Sequence, residues 1–245
     1  MHLDLPASGR PKKKEEDNVK KVRLLTGNAL FRRIVRSMCE RYAKTQLMSG
    51  VTTIRTMGGV LDVDSQIRDR IDQGKITGPR ILAADMAVSV EGGHMVHSLA
   101  YAAHSEDEAR SLVRKILKGR PDVIKLMITG GVLDAKAGEL KMPAEYVKAA
   151  CDEAHRAGLK VAAHVESTEG VRCALKNGVD TIEHGAVPDQ EIIELFKERG
   201  ACQIATISPA LPFALFDRSI SGVSEVAQYN GKIVFDGIIE CARTC

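Results

Sequence analysis

Lys125 lies inside the run DVIKLMI (122–128), where all residues but Asp122 and the lysine itself are apolar. Strand alternation sets Val123, Lys125 and Met127 on one face and Ile124, Leu126 and Ile128 on the other. A lysine in a strand buried on both faces is costly unless it is paired or chemically altered. Three chemistries meet that condition. Lys125 could form a salt bridge with a carboxylate. As a desolvated amine it could form a Schiff base with a carbonyl substrate. Or it could be carboxylated by carbon dioxide, which turns a cation into an anionic ligand able to bridge two metals. The next two strand-like runs bear on the choice: VAAHVES closes at His164 and TIEHGA at His184, 20 residues further on. One histidine at a strand end is usually a satisfied core or loop residue, but two at equivalent positions of adjacent units are less easily dismissed. Neutral imidazole is a common ligand for zinc and similar divalent metals. Lysine, histidine and histidine on consecutive strands look like one wall of a metal site, with the salt bridge and the Schiff base standing beside that reading.

The elements that must position these residues alternate along the chain. Mixed-charge stretches with apolar residues three and four apart predict helices over about 28–48, 62–73, 106–118, 143–157, 168–177, 189–199 and 229–244. Runs rich in Val, Ile and Ala predict strands over about 51–56, 80–84, 122–128, 159–165, 179–183 and 201–206. Such alternation marks βαβ units around a parallel sheet. Gly50, Gly158, Gly178 and Gly200 each close a helix just before a strand, where the left-handed conformation is needed. The stretches 85–105 and 206–228 read as long strand-to-helix connections, at the strand ends where α/β sites are built. An open doubly wound sheet would accept six strands, but no G-x-G-x-x-G follows a strand, so a dinucleotide site has no support.

The bulk properties narrow the function classes. The chain has 245 residues, near the roughly 250 of an eight-fold α/β barrel, with no Pro- or Ser-rich linker, and reads as one domain over 1–245. A balance of 35 basic against 32 acidic residues is too even to imply nucleic acid, and 4% aromatics with no Trp disfavours a base-stacking module. Apolar runs fall far short of the roughly 18 residues a membrane span requires, so no membrane partner is expected. The opening segment lacks the apolar core of a secretory signal, and Lys12–Lys14 followed by Glu15, Glu16 and Asp17 reads as a solvated loop. Six cysteines without a C-x-x-C pair read as reduced thiols of a cytoplasmic protein, with Cys241 and Cys245 sharing one helix face.

The runs GVTTIRTMGG (50–59), GPRILAADMAVSVEGGHM (78–95), DVIKLMITGGV (122–132), EAHRAGLKVAAHVES (153–167) and GVDTIEHG (178–185) together resemble the amidohydrolase superfamily. More narrowly, they are similar to its imidazolonepropionase-related and Xaa-Pro dipeptidase (prolidase) branch. The resemblance implies a metal-dependent (β/α)8 TIM-like barrel with a small β-sandwich built from both chain ends. It also implies ligands from an H-x-H pair on strand 1, a carboxylated lysine on strand 4, histidines on strands 5 and 6, and an aspartate on strand 8. By position, Lys125, His164 and His184 match strands 4, 5 and 6, and His2 matches the second histidine of the strand 1 pair. The barrel is then expected to be incomplete, holding about strands 2–7 and the end of strand 1, without the β-sandwich. The first strand 1 histidine and the strand 8 aspartate are not matched, and neither Asp4 nor Asp236 replaces them by position. Thr56 departs from relatives that carry an acid after the arginine.

The activity that the resemblance implies is hydrolysis of carbon–nitrogen bonds (amides, cyclic amides, dipeptides) by metal-activated water, with zinc as the default ion and carbon dioxide held as the lysine carbamate. The substrate is expected to be a small molecule or a dipeptide. His94, in EGGHM, matches a Gly-Gly-His of relatives and is expected to face substrate. Arg55 could meet a substrate carboxylate or form a salt bridge. His97 reads as a surface loop residue, and His104 and His155 as structural, with Ser105 an N-cap. Without a full ligand set the chain is expected to bind at most one metal well and to be dead or severely impaired in catalysis. Unpaired edges on strands 2 and 7 lead one to expect poor solubility or a homo-oligomer. A Schiff-base lyase using Lys125, and a non-catalytic barrel remnant that binds a ligand or partner, are the alternatives.

Overall fold

Helix α1 (Ala29–Met48) begins where the Asn28 side chain accepts the Phe31 N–H. The computed structural model describes residues 19, 20, 22, 24, 26–134 and 136–245. His2, Asp4 and Lys12–Lys14 lie outside the described residues.

Strands and helices then alternate: β1 (Thr53–Arg55), α2 (Val63–Asp72), β2 (Arg80–Leu82), β3 (Ala87–Val90), β4 (Ala100–Ala103), α3 (Glu106–Leu117) and β5 (Val123–Met127). They continue as α4 (Ala144–Arg156), β6 (Lys160–Val165), α5 (Thr168–Lys176), β7 (Thr181–His184), α6 (Gln190–Arg199) and β8 (Cys202–Ile204). Three helices come last: α7 (Ile207–Ala214), α8 (Arg218–Ser221) and α9 (Glu225–Thr244). Every ladder is parallel. One sheet runs β4-β3-β5-β6-β7-β8, and a second pairs β1 with β2.

The two sheets meet through one bent segment. Its first half, β2, pairs with β1, and its second half, β3, pairs with β5 at Val88 and Leu126. Between them the Ala83 carbonyl accepts the Asp122 N–H at 2.7 Å. The bend is at Asp85, whose φ of 56° lies in the left-handed region. Its carboxylate accepts the Ser65 N–H at 3.0 Å and the Ser65 hydroxyl at 2.6 Å, tying the bend to the first turn of α2. The result is an arc of parallel strands with helices outside it, a TIM-barrel-like α/β fold. Among the described residues β1 and β8 each have a single strand neighbour.

The alternation expected of 122–128 is present. Ile124, Leu126 and Ile128 pack against Val113, Val147 and Ala150 of the outer helices. Val123 and Met127 face inward among Met57, Ala84, Ala87, Ala100 and Ala162. Each outward Ile or Leu fully removed from water contributes about 1.5–3 kcal/mol, whereas the small inward residues leave room for side chains with chemistry. Gly50, Gly158, Gly178 and Gly200 all have positive φ, as expected of helix-ending corners.

Two expectations need correction. The stretch 85–105 is not one connection, since it carries β3 and β4. The run AYAA has little β-branching to mark a strand; burial of Ala100 and Ala103 against β3 decides its pairing. The stretch 206–228 carries α7 and α8, and α9 begins at Glu225, where Ser224 caps it by accepting the Ala227 N–H. No described helix is long and apolar enough to cross a membrane.

Candidate metal centre

Register brings the two histidines to one end of the sheet and leaves Lys125 lower, in the middle of its strand. Across β5 and β6, Lys125 stands beside Ala162 and Met127 beside His164; across β6 and β7, Val165 stands beside His184. Lys125 is 2% exposed. Burial pushes its amine down to about 8, with Arg55 adding to the effect and Glu183 and Glu166 opposing it.

His164 is the penultimate residue of β6 and is 4% exposed. The Gly130 carbonyl is its backbone hydrogen-bond partner. Nε2 is buried with no partner among the described residues. The carbonyl therefore takes the Nδ1 proton, and the neutral ring offers an Nε2 lone pair, the arrangement that orients metal-ligating histidines. Burial holds this imidazole well below its usual range, with His94, His184 and Lys125 lowering it further. The His94 ring stacks on it at 4.3 Å and 13°. His184 meets it edge-on at 4.7 Å and 75°.

His184 ends β7 at a φ of 76°, an uncommon conformation for a residue with a Cβ. Gln203 donates to its carbonyl at 2.6 Å, and Thr206 Oγ1 lies 2.5 Å from its Nδ1. The β7–β8 edge thus holds both backbone and ring of this histidine.

A third residue joins the two histidines, and it is not among the candidates that the sequence pattern marks. Glu166 is 9% exposed, and its Oε2 is buried without a partner among the described residues. The Val132 N–H bonds the carboxylate. Burial raises the carboxyl to about 8, with Asp134 adding and Lys125 opposing. One ligand atom each from His164, Glu166 and His184 lies within 4.8 Å of the other two. Zinc–ligand bonds of about 2.0–2.1 Å put tetrahedral ligand atoms roughly 3.4 Å apart, so an inward shift of order 1 Å closes the set. Two orphaned buried acceptors in a nitrogen and oxygen donor set fit a divalent metal of the zinc type. A signal for Glu166 does exist in the sequence. His164 and Glu166 are two apart, and strand alternation places such residues on one face.

The remaining candidates surround this cluster. His94 Nδ1 lies 3.3 Å from Asp134 Oδ2, and the ring rests on the Gly131 backbone so closely that a Cβ there would stand 2.5 Å from its Cε1. Arg55 donates to Glu183 Oε1 at 2.7 Å and to Thr181 Oγ1 at 3.3 Å. Since β1 and β7 are not neighbours, that pair crosses the interior of the arc. Of its two expected roles, the salt bridge is thus present. Thr56 accepts the Ala84 N–H at 3.0 Å and joins β1 to the end of β2. His97, His104 and His155 lie beside Glu91, Glu108 and Asp180 at 3.1, 2.8 and 2.8 Å, and Ser105 caps α3 by accepting the Glu108 N–H.

An arc of parallel strands with two imidazoles and a buried carboxylate together at its C-terminal rim defines a TIM-barrel-like α/β class with a candidate metal site. Residues 15–233 match the amidohydrolase family, and the chain belongs to it. It is 29% identical over 188 residues to ochratoxinase from Aspergillus niger, covering 66% of this chain and 38% of that protein. A candidate prolidase structure from Bifidobacterium longum is 40% identical with a TM-score of 0.78, covering 85% of this chain and 52% of that one. A Xaa-Pro dipeptidase structure with methionine bound in its active site is 30% identical with a TM-score of 0.76, covering 86% of this chain and 56% of that one. The chain spans about half the length of these two structures and 38% of the curated relative.

Proposed function

We propose that this chain belongs to a metal-dependent hydrolase of amide-type carbon–nitrogen bonds, with dipeptides and N-acyl amino acids as its substrate class. The observation that carries the reading is the bare Nε2 of buried His164, oriented by Gly130 and set beside His184. Family membership supports hydrolysis, and the name of the Xaa-Pro dipeptidase relative supports dipeptides as substrates. The holding residues are His164, His184 and Lys125, with His2 as a further ligand implied by the resemblance. Zinc is the preferred ion. A divalent cation there supplies Lewis acidity toward a carbonyl and toward water.

The chain's own residues do the rest. Lys125 Nζ, neutral in part because burial disfavours its charge, adds to carbon dioxide. One N–C bond forms, one proton leaves, and an anionic carbamate remains in place of a cation. His94, stacked on His164 and bonded to Asp134, faces the entering substrate. Arg55, braced by Glu183 and Thr181, meets a substrate carboxylate from the interior. The resemblance also implies a strand 8 aspartate that these 245 residues do not supply, so the isolated stretch is expected to turn over slowly or not at all.

The test uses the complete protein encoded at this locus, stripped with chelator and reloaded with zinc, against a dipeptide and N-acyl amino acid panel. Release of free amino acid that chelator abolishes and zinc restores is the expected result. Undiminished turnover without metal would overturn the reading. So would borohydride trapping of a carbonyl substrate on Lys125, which would move the protein to the Schiff-base lyases.

A further inference from the structure

We infer that Glu166 forms a subsite for a cationic nitrogen of the substrate, either a free α-ammonium or a basic side chain. The inference rests on the reading of this rim as a metal-dependent hydrolase site. It keeps His164, His184 and the Lys125 carbamate as the holding residues and assigns a role to a buried acid that they leave unused. Glu166 follows β6 directly, two residues after His164, so both side chains turn to the same face. The Val132 N–H bonds its carboxylate, yet Oε2 is buried and keeps no partner among the described residues. A carboxylate oxygen left in that state is costly unless a donor or a cation joins it. The charged groups that act on it are Asp134 and Lys125. Carboxylation turns Lys125 from a cation into an anion, so in the carbamate form both of these neighbours are anionic. The carbamate offsets charge on the ion it helps to hold, and Glu166 is one negative group beyond that pair.

A substrate can supply the missing positive charge. A carboxylate oxygen of Glu166 lies within 4.8 Å of a ring nitrogen of His164 and of His184. In a dipeptide the α-ammonium stands about 2.5 Å from the scissile carbonyl carbon, so a carbonyl polarised at the histidines brings that nitrogen within reach of Glu166. A basic side chain on either residue reaches the same place. Arg55 lies on β1 and Glu166 just beyond β6, so the arc offers a dipolar substrate one fixed charge of each sign. The turn that presents Glu166 is held in place. Its backbone N–H bonds the Thr129 hydroxyl at 3.0 Å, and Ser167 caps α5 by accepting the Gly170 N–H at 3.2 Å. A Cβ on Gly138 would stand 2.5 Å from the Glu166 carbonyl. A carboxylate fixed in this way binds a cation without first paying to order itself.

The probes are four peptides given to the complete zinc-loaded protein encoded at this locus: alanyl-alanine, N-acetyl-alanyl-alanine, N-acetyl-lysyl-alanine and N-acetyl-alanyl-lysine. All but the second carry a cationic nitrogen. At least one of those three should exceed the neutral peptide in kcat/KM by about tenfold or more, chiefly through KM. Alanyl-alanine reports the α-ammonium, and the two lysyl peptides report a side chain on either side of the scissile bond. Glu166→Gln should shrink the preference to within about twofold, while zinc content by elemental analysis stays near wild type. The preference is a ratio within one protein, so a general loss of activity cancels. A wild type without preference would overturn the inference. So would a preference that survives Glu166→Gln, or a Glu166→Gln protein that loses its zinc. Should circular dichroism show that Glu166→Gln has not folded, Glu166→Asp, which keeps the charge but shortens its reach, should cut the preference by about threefold or more. An unchanged preference there would count against the subsite. Zinc-dependent turnover without preference removes only this role of Glu166, whereas no zinc-dependent turnover of any of the four removes the hydrolase reading as well.

Discussion

The Nε2 of His164 is an acceptor because the Gly130 carbonyl takes the proton on the opposite ring nitrogen. That single contact decides which atom of the ring can hold an ion, and a sequence does not record it. His94 illustrates the complementary case. Its ring covers His164 in a parallel stack and is itself held by Asp134 and the Gly131 backbone. In the complete protein, His94→Ala should raise KM for substrate by about tenfold, the size of one lost polar contact, while zinc content measured by elemental analysis stays near wild type. Equal losses of metal and of substrate use would count against a substrate-facing role. Lys125, His164 and His184 are legible in the sequence because an amine inside an apolar run and two histidines at equivalent strand ends are unusual. Glu166 is harder to see, since an acid just past a strand end ordinarily belongs to solvent or to the next helix's first turn.

At the scale of elements, the bend between β2 and β3 depends on a buried carboxylate. Asp85 is pushed up to about 6 from 3.8 by burial, against the opposing pull of its Ser65 bonds. A raised folded-state pKa means that the native chain binds this proton more tightly than the unfolded one. The stability it contributes is full below about pH 4 and is lost as pH rises through about 6, some 3 kcal/mol in all. Asp85→Asn removes the titration. The urea-unfolding free energy of wild type minus that of Asp85→Asn should therefore fall between about pH 4 and 7 by up to that amount. A difference that stays constant over the window would refute the assignment. The existence of this bend is not legible in the sequence. The stretch 85–105 has the look of a loop because AVSV and AYAA are short and rich in small residues, and only their burial against β5 and each other makes them strands.

For the molecule as a whole, the Arg55–Glu183 pair spans the interior between strands that share no ladder. Arg55→Met leaves Glu183 buried without its guanidinium partner, with only the Thr181 hydroxyl still bonded to it and Lys125 nearby. It should lower stability by about 2–4 kcal/mol in urea unfolding, less than for a fully buried pair because the Arg55 side chain is 26% exposed. Arg55→Met with Glu183→Met should recover most of that loss, and a double variant no more stable than the single would argue against a cross-interior brace. By itself the sequence determined the parallel α/β plan, the six recurring strands, the inward and outward faces of β5 and two of the three clustered residues, His164 and His184. Each of these comes from a local rule: period-two alternation, apolar spacing at three and four, or a glycine at a helix end. Only the tertiary structure decided that Arg55 reaches Glu183, that His94 stacks on His164 and that Glu166 Oε2 keeps no partner among the described residues. The first two are contacts between residues far apart along the chain, the third is the lack of one, and all depend on how the arc curves. Curvature is set by packing over the whole sheet, which no short window of residues encodes.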